Sequence, residues 1–289
     1  MAAGRRAAKL VVAPSVAVVM VFIYGFVLWT LYISFTASRI LPAYELTGWD
    51  AYARLWQTPR WHLALRNLGV FSLLFISVSM VVGVGLAVLL DQRARAEGVL
   101  RTLYLYPMAL SFVVAGTAWR WILNPGIGIQ AFVRHLGFPD FTFDWIARPE
   151  TAVYALVVVA VWQSTGFVVA LFLAALRGVD QEIIRAARLD GAATWQIYWG
   201  IVLPSIRPVV MSALVVLLHV AVTSYDLVVA LTGGGPGYAS DMPATFMVEM
   251  AFRRNQINVG AASAIMMLAM VVTIVVPYLY AEMRAARDA

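Results

Sequence analysis

Apolar residues are grouped into six long blocks, and short polar segments separate these blocks. Each block is more than 20 residues long. An α-helix needs about 20 apolar residues to cross the roughly 30 Å hydrocarbon core of a bilayer. The pattern therefore predicts an all-α, polytopic transmembrane helical bundle that occupies residues 1–289 as one domain. We place its six spans at residues 10–35, 67–90, 103–123, 152–176, 209–231 and 259–281.

The first apolar block begins directly after Arg5, Arg6 and Lys9. A secretory signal peptide also begins with basic residues, and residues 36–38 are faintly similar to a cleavage site. The apolar core of a signal peptide is only about 7–15 residues long, however, and this block is much longer. We therefore predict an uncleaved first span that keeps its basic end in the cytoplasm.

Composition and charge agree with a membrane protein. Hydrophobic residues make up 62% and charged residues 12% of the chain, and cysteine is absent, which excludes disulfides and thiolate metal sites. Six spans place both termini on one side. With that side inside, twelve of the 21 basic residues are cytoplasmic and nine are external, which agrees with the positive-inside rule. The net charge of +6 is spread over many loops, so we expect no nucleic-acid partner.

Residues 182–208 differ from the rest because they carry several charges between two apolar blocks: Glu182, Arg185, Arg188 and Asp190. Such a segment cannot lie in hydrocarbon, so we predict a cytoplasmic loop. Apolar residues recur at helical steps on both sides of Asp190-Gly191, which predicts two short helices with a break there. Gly191 suits this break because glycine adopts a positive φ without a Cβ clash.

The spacing in this loop resembles that of a known family. The pattern AAxxDGAxxxxxxxxxxLP is similar to the cytoplasmic EAA loop of ABC importer permeases. In that family the first helix of the loop docks into a cleft on the ATP-hydrolysing subunit and transmits its motion to the membrane. The resemblance implies an ATPase-coupling role for nine residues: Glu182, Arg185, Ala186, Ala187, Asp190, Gly191, Ala192, Leu203 and Pro204.

One position departs from the family pattern. Arg185 stands where the family has the glutamate of EAA, although Glu182 matches an acidic position found upstream in the family. We therefore expect a carboxylate on the ATPase surface opposite Arg185. The chain has no GxxxxGKS or GxxxxGKT phosphate loop. The resemblance thus implies that a partner ATPase binds ATP and Mg, and that this chain has no cofactor and is not an enzyme.

The end of the fifth block resembles one branch of the family. Asp226, Leu231-Thr232 and Gly233 to Pro236 follow the D…LTGGGP pattern of carbohydrate-importer permeases, and residues 106–121 and 161–180 are also similar to that branch. The resemblance is to maltose-type inner-membrane components with the MetI-like fold, and it comes nearest to glucose- or mannose-type permeases. It implies alternating-access sugar import across the bacterial inner membrane. The implied partners are a second homologous permease, two ATPase subunits and an extracytoplasmic sugar-binding protein.

Four polar residues of the spans are candidates for the sugar path. At about 1.5 Å per residue, Gln163 and His219 lie near mid-depth, and Tyr225 and Asp226 lie further out. Polar residues in spans usually face the bundle interior or a water-filled cavity. The alternative is that Gln163 and His219 bridge neighbouring helices and that Asp226 caps or pairs near the outer turn. The partner permease alone can also hold the sugar in this fold.

Aromatic residues mark the segment between the first two spans, with Trp49, Tyr52, Trp56 and Trp61. Aromatic residues beside a span usually anchor it at the membrane surface. The arrangement also resembles the segment between the first two spans of the permease family, so contact with an external binding protein is a second role for it. We predict anchoring as the main role.

Two other classes of membrane protein are alternatives. An ion-coupled secondary transporter needs ionisable groups deep in several spans, and only His219 lies at mid-depth. An intramembrane enzyme needs a nucleophile with a base or a paired aspartate site, and the sequence shows neither, so we predict no catalytic residue and no metal site. Within the same family, glycerol phosphate or an oligosaccharide is an alternative solute.

Overall fold

The computed structural model describes residues 2–92 and 97–288. Side chains are described within these ranges except at residues 2–11, 97, 181, 279, 281–283 and 285–288. Several basic side chains on which the predicted orientation depends therefore lie outside the described residues: Arg5, Arg6, Lys9, Arg93, Arg95 and Arg287.

Helices account for nearly all of the regular structure. They are α1 (Ala2–Ser34), α2 (Asp50–Gln57), α3 (Pro59–Asp91), α4 (Glu97–Leu105), α5 (Phe112–Ile122), α6 (Ile129–His135), α7 (Ala152–Arg177), α8 (Gln181–Leu189), α9 (Thr194–Ile197), α10 (Leu203–Ser205), α11 (Arg207–Val222), α12 (Tyr225–Leu231), α13 (Pro243–Val248) and α14 (Ile257–Asp288). A 3-10 turn covers Pro107–Ala109, and π-helical turns cover Tyr198–Val202 and Glu249–Arg253. The described residues form no strand, only a β-bridge between Thr36 and Leu46, so the predicted all-α class is confirmed.

Four helices in the described ranges are long and apolar enough to cross a membrane: Val12–Ser34, Pro59–Asp91, Ala152–Arg177 and Ile257–Tyr278. Two bent helix pairs raise the number to six if each pair counts as one span. These pairs are Gly98–Ala109 with Phe112–Ile122, bent by 102°, and Thr194–Ser205 with Arg207–Val222, bent by 73°.

Residues 103–123, predicted as one span, are divided by a sharp bend. Pro107 has no N–H with which to continue α4, and it begins the 3-10 turn. Leu110 is then extended, with ψ of 147°. Ser111 starts α5 as an N-cap, because its side-chain oxygen accepts a hydrogen bond from the N–H of Val114 at 3.3 Å.

Residues 209–231, predicted as another single span, are divided into α11 and α12. The N–H and the hydroxyl of Thr223 both donate to the carbonyl of His219, at 3.0 and 2.8 Å. Such back-bonding by a threonine offers the backbone an alternative to helix continuation. The chain leaves α11 at this point, and α12 begins at Tyr225.

The chain divides into two units, and the first comprises residues 1–62 and 246–270. Asn258 connects the two parts of this unit, because its side-chain amide donates to the carbonyl of Thr36 at 3.0 Å. Glu249 holds a cluster of three arginines, with Arg253 at 3.5 Å, Arg254 at 3.4 Å and Arg60 at 3.8 Å. Charged and amide side chains thus fix the loops of this unit.

Aromatic residues of the first unit fall into two groups. Tyr52 and Trp61 are buried, and the Trp61 ring lies 5.3 Å from that of Phe246. The prediction that these two residues anchor the chain at a membrane surface is therefore wrong, because both belong to the core of the unit. Trp49 and Trp56 are exposed, as an anchoring role requires.

Helix α7 forms the centre of the second unit, which comprises residues 63–245 and 271–289. Of its 26 residues, 16 are buried. Small residues bring other helices close to it, since a Cβ atom at Gly83 would lie 2.5 Å from Val168 Cγ1, and one at Gly166 would overlap the carbonyl oxygen of Tyr104. Close approach at small residues is typical of helices packed in membranes.

The glycine-rich turn after α12 is closed by polar side chains of the same unit. Gly233 and Gly234 have φ of 65° and 84°, which glycine adopts without strain. The buried amide of Asn67 donates to the carbonyls of Ala239 and Asp241, both at 2.9 Å. These bonds join the start of α3 to a loop more than 170 residues away, so the turn has a structural partner.

Candidate coupling loop and adjoining cavities

The segment between α7 and α11 forms a helical hairpin. Asp180 caps α8, since its carboxylate accepts a hydrogen bond from the N–H of Glu182 at 2.8 Å. The break predicted at Asp190-Gly191 is present, and Gly191 has φ of 82°. Its N–H donates to the carbonyl of Arg188, and the N–H of Ala192 donates to that of Ala187, both at 3.1 Å. This pair of hydrogen bonds is typical of a helix that ends at a glycine.

The predicted coupling residues lie on α8, in the turn after it and on α10. Glu182, Arg185, Ala186 and Ala187 lie on α8, with Glu182 in its first turn. Asp190, Gly191 and Ala192 form the turn, and Leu203 and Pro204 lie in α10. Helix α8 exposes two large apolar side chains, since Leu189 is 89% exposed and Ile183 is 50% exposed. Arg185 and Arg188 are also exposed on this helix.

Tyr198 fastens the second half of the hairpin to α3. Its hydroxyl donates to the carboxylate of Asp91 at 2.8 Å. Burial, together with the hydrogen bond to Asp91 and the negative charge of that residue, raises the pKa of Tyr198 to about 12, although Arg188 acts in the opposite direction. The hydroxyl is therefore a proton donor at neutral pH and holds the end of α3 against the loop.

Removing this hydroxyl is expected to loosen the hairpin. In Tyr198→Phe the ring is kept and the bond to Asp91 is lost, at a cost of about 1 kcal/mol, or roughly a fivefold increase in local opening. Tryptic cleavage after Arg185 and Arg188 in inside-out vesicles measures this opening. Tyr154→Phe is the matched control, since Tyr154 is 44% exposed at the start of α7. Equal cleavage rates in both variants would show that the Tyr198 bond has no role.

A polar cavity of about 860 Å³ lies beside the hairpin. Among the described residues, its charged lining consists of the side chains of Asp91, Arg177, Arg185 and Arg188. These come from the ends of α3 and α7 and from α8, so the cavity combines three separate segments of the chain. Among the side chains that the structure describes, three guanidinium groups and one carboxylate line the cavity, so this part of the lining carries more positive than negative charge.

An apolar groove of about 1040 Å³ adjoins the polar cavity. One wall is a stripe that runs from Met80 on α3 to Gln92, just beyond the end of this helix, and the other includes Trp195 and Trp199. The groove and the polar cavity share three lining residues: Gln92, Thr194 and Tyr198. Neither space could be predicted from the sequence, because the residues that line the groove are up to 130 positions apart.

The four substrate-path candidates are not gathered in these cavities. Gln163 is 4% exposed, and its amide nitrogen donates to the carbonyl of Leu110 at 2.7 Å. It thus satisfies the backbone at the bend between α4 and α5. The amide oxygen of Gln163 is buried and has no hydrogen-bond partner among the described residues.

The other three candidates lie around the break between α11 and α12. His219 is exposed in the last turn of α11, and Asp226 is exposed in the first turn of α12. Tyr225 is half-buried at the start of α12. Ser224, between them, is a residue that the sequence did not single out, and its buried hydroxyl has no hydrogen-bond partner in the described part of the chain.

A membrane-embedded helical chain that presents a polar hairpin between two apolar elements has the architecture of a transporter permease. The chain belongs to the family of binding-protein-dependent transport system inner membrane components, whose family model matches residues 79–284. The predicted recognition is confirmed: the chain is an ABC transporter permease and an inner membrane component.

Proteins with similar sequences match nearly the whole chain. A probable ABC transporter permease protein of Pyrococcus horikoshii is 36% identical over 269 residues, which is 92% of each chain. A xylose/arabinose import permease protein of Haloferax volcanii is 34% identical over 89% of this chain and 82% of its own. A trehalose/maltose transport system permease protein of Thermococcus litoralis is 28% identical over 93% and 91%.

Two solved structures share the fold, each with a TM-score of 0.79. One is a bacterial ABC transporter involved in the import of the acidic polysaccharide alginate, at 21% identity over 95% of this chain and 93% of that one. The other is the bacterial alginate ABC transporter in complex with an alginate pentasaccharide-bound periplasmic protein, at 18% identity over 92% and 90%. These structures confirm the predicted MetI-like fold of ABC importer permeases.

Proposed function

We propose that this chain is the membrane-spanning permease of an ATP-driven sugar importer, and that the 182–208 loop couples it to a separate ATPase subunit. The observation that carries the proposal is the exposure of Leu189 and Ile183 on α8, beside Arg185 and Arg188. Large apolar side chains on a helix in water usually mark a partner-binding surface. An amphipathic helix that docks into a groove is a common form of such binding.

The mechanism follows from the position of the hairpin. It is joined to α7 at one end and to α11 at the other, so movement of α8 pulls on two apolar elements. ATP and Mg bound between two ATPase subunits would close that dimer and shift the docked loop. The permease, paired with a second homologous permease, would then open its cavity to the outside, where a sugar-binding protein delivers the solute. Both termini and the loop lie in the cytoplasm in this arrangement.

Several observations support a sugar as the solute, and a monosaccharide such as glucose or mannose in particular. The LTGGGP pattern follows that of carbohydrate-importer permeases. Relatives of the chain are named for xylose and arabinose and for trehalose and maltose. Pentoses and disaccharides differ in size but offer the same hydroxyl groups, so the proposal of a monosaccharide rests on the narrower sequence resemblance.

The sugar path is proposed to include Gln163, His219, Tyr225 and Asp226. A hydroxyl stripped of water needs a new hydrogen-bond partner, and the cost of leaving one unpaired is about 1–3 kcal/mol. The buried amide oxygen of Gln163 supplies an acceptor that no described group uses. His219 and Asp226 are exposed polar groups on either side of the α11–α12 break.

The test is reconstitution of the chain in vesicles with its partner permease, the ATPase and the binding protein. ATP hydrolysis and uptake of labelled glucose, mannose, xylose, maltose and glycerol phosphate are measured together. The proposal expects one sugar to raise both rates, and only when the binding protein is present. Uptake that continues without the ATPase and follows an ion gradient would contradict it, and stimulation by glycerol phosphate or an oligosaccharide alone would correct the solute.

A further inference from the structure

The polar cavity and the apolar groove lie next to each other beside the hairpin and together make its surroundings amphipathic. They share the lining residues Gln92, Thr194 and Tyr198, so the two spaces adjoin at these side chains. The two spaces differ in chemistry, because arginines line the first and aliphatic and aromatic side chains line the second. A ligand that fills both must have an anionic end and an apolar end.

The polar end suits a phosphate group. Arg185 and Arg188 line it, and neither forms a hydrogen bond or an ion pair with another side chain among the described residues. Arg177 and Asp91 also line it. The excess of positive charge favours an anion, and basic pockets on the cytoplasmic side of membrane helices bind anionic lipid headgroups. Arginine also matches the geometry of phosphate oxygens better than lysine does.

The apolar end has the length of one lipid leaflet. The stripe from Met80 on α3 to Gln92, the residue after this helix, spans roughly 18 Å at the rise of an α-helix. Half of the hydrocarbon core measures about 15 Å. Trp195 and Trp199 are 66% and 71% exposed beside the polar end, where aromatic residues commonly mark the membrane surface. Gly85, in the middle of the stripe, leaves open space in the groove.

We propose that one anionic phospholipid occupies this site, with its phosphate at Arg185 and Arg188 and an acyl chain along α3. The lipid then lies against the coupling hairpin and bridges it to α3. The inference rests on the proposed position of the hairpin at the cytoplasmic membrane surface, but not on contact with an ATPase. The charge composition of the inner leaflet would thus act on the coupling loop directly.

Native mass spectrometry of the full chain in mild detergent tests the proposal. The chain is mixed with equal amounts of phosphatidylglycerol and phosphatidylcholine with the same acyl chains, and one phosphatidylglycerol is expected to be retained. The double variant Arg185→Gln with Arg188→Gln is expected to bind it about thirtyfold more weakly. Arg207→Gln is the control for charge, because Arg207 is exposed at the start of α11 and does not line the cavity.

A second pair of variants tests the apolar end. A Cβ atom at Gly85 meets nothing within 4 Å, so Gly85→Phe is expected to place its ring in the groove and to lower retention of the lipid severalfold while both arginines stay. Gly69→Phe is the matched control, since Gly69 lies on the same helix, also faces open space and does not line the groove. Both controls are expected to retain phosphatidylglycerol as the unaltered chain does.

Three results would overturn the proposal. The first is equal retention of both lipids, or retention that the arginine variant leaves unchanged. The second is full displacement by glycerol phosphate with no effect of Gly85→Phe, which would mean that the cavity takes a free anion. The third is cross-linking of Gly85→Cys to the second permease in the assembled transporter, which is readable because the chain has no other cysteine. Since ATP is absent from the assay, failure of the ATPase coupling would leave these results unchanged.

Discussion

In the Gly166→Ala variant, the folded fraction of the protein is expected to fall sharply. Gly166 lies in the buried centre of α7, and a Cβ atom there would overlap the carbonyl oxygen of Tyr104. The backbone carbonyl of Tyr104 cannot change rotamer to relieve this clash, as a flexible side chain could. Helix α7 and the end of α4 must therefore separate. We expect a destabilisation above about 3 kcal/mol, at the upper end of the range for overpacking.

The effect is measured as thermal stability in detergent: samples are heated, and size-exclusion chromatography gives the amount of protein that remains folded. Gly69→Ala is the matched control, because a Cβ atom at Gly69 on α3 meets nothing within 4 Å. The control is expected to stay within about 0.5 kcal/mol of the unaltered chain. If both variants melt at the same temperature, the close approach of α7 to Tyr104 is not part of the membrane-embedded fold.

The Gly191→Val variant is expected to fold but to transport poorly. Gly191 has φ of 82°, and a β-branched residue is a steric outlier there. Strain of about 1–3 kcal/mol would drive the turn into another conformation and change the angle between α8 and α9. Because α8 is the proposed docking helix, we expect uptake and solute-stimulated ATP hydrolysis to fall about tenfold or more.

Gly200→Val is the control for this substitution. Gly200 lies in the same hairpin, in the π-helical turn, and it also has open space around it, but its φ is not positive. Uptake by the control should stay close to that of the unaltered chain. The amount of each variant in the membrane is measured alongside, since a fall in amount would indicate a folding defect. Normal uptake by Gly191→Val would argue against the hairpin as the coupling element.

The sequence predicted the helical class and the hairpin for different physical reasons. In hydrocarbon the backbone N–H and C=O groups of an apolar block more than 20 residues long can all be hydrogen-bonded within the block only as a helix. The helical class therefore follows from length and composition. The hairpin followed from charge between apolar blocks and from a glycine at the break. Both signals are local in the sequence, and Gly191 has the positive φ that its position predicts.

The bends and cavities could not be predicted in the same way. Hydropathy treats residues 103–123 as continuous, although Leu110 is extended and Ser111 caps a new helix. At Thr223 the interruption has neither a proline nor a glycine to mark it. The cavity beside α8 takes Asp91 and Arg177 from segments that only the folded chain brings together. Contacts between distant residues leave no periodic signal in one sequence.

The hydrogen bond from Gln163 to Leu110 also constrains how the chain is made. A carbonyl without a donor costs several kcal/mol in hydrocarbon, and the donor for Leu110 is synthesised 53 residues later. Until α7 emerges from the ribosome, the carbonyl of Leu110 between α4 and α5 lacks this side-chain donor, which makes the bent segment unfavourable among lipid tails. We therefore expect these two parts of the chain to leave the insertion machinery together, because the bend between α4 and α5 has its side-chain donor only once α7 is present.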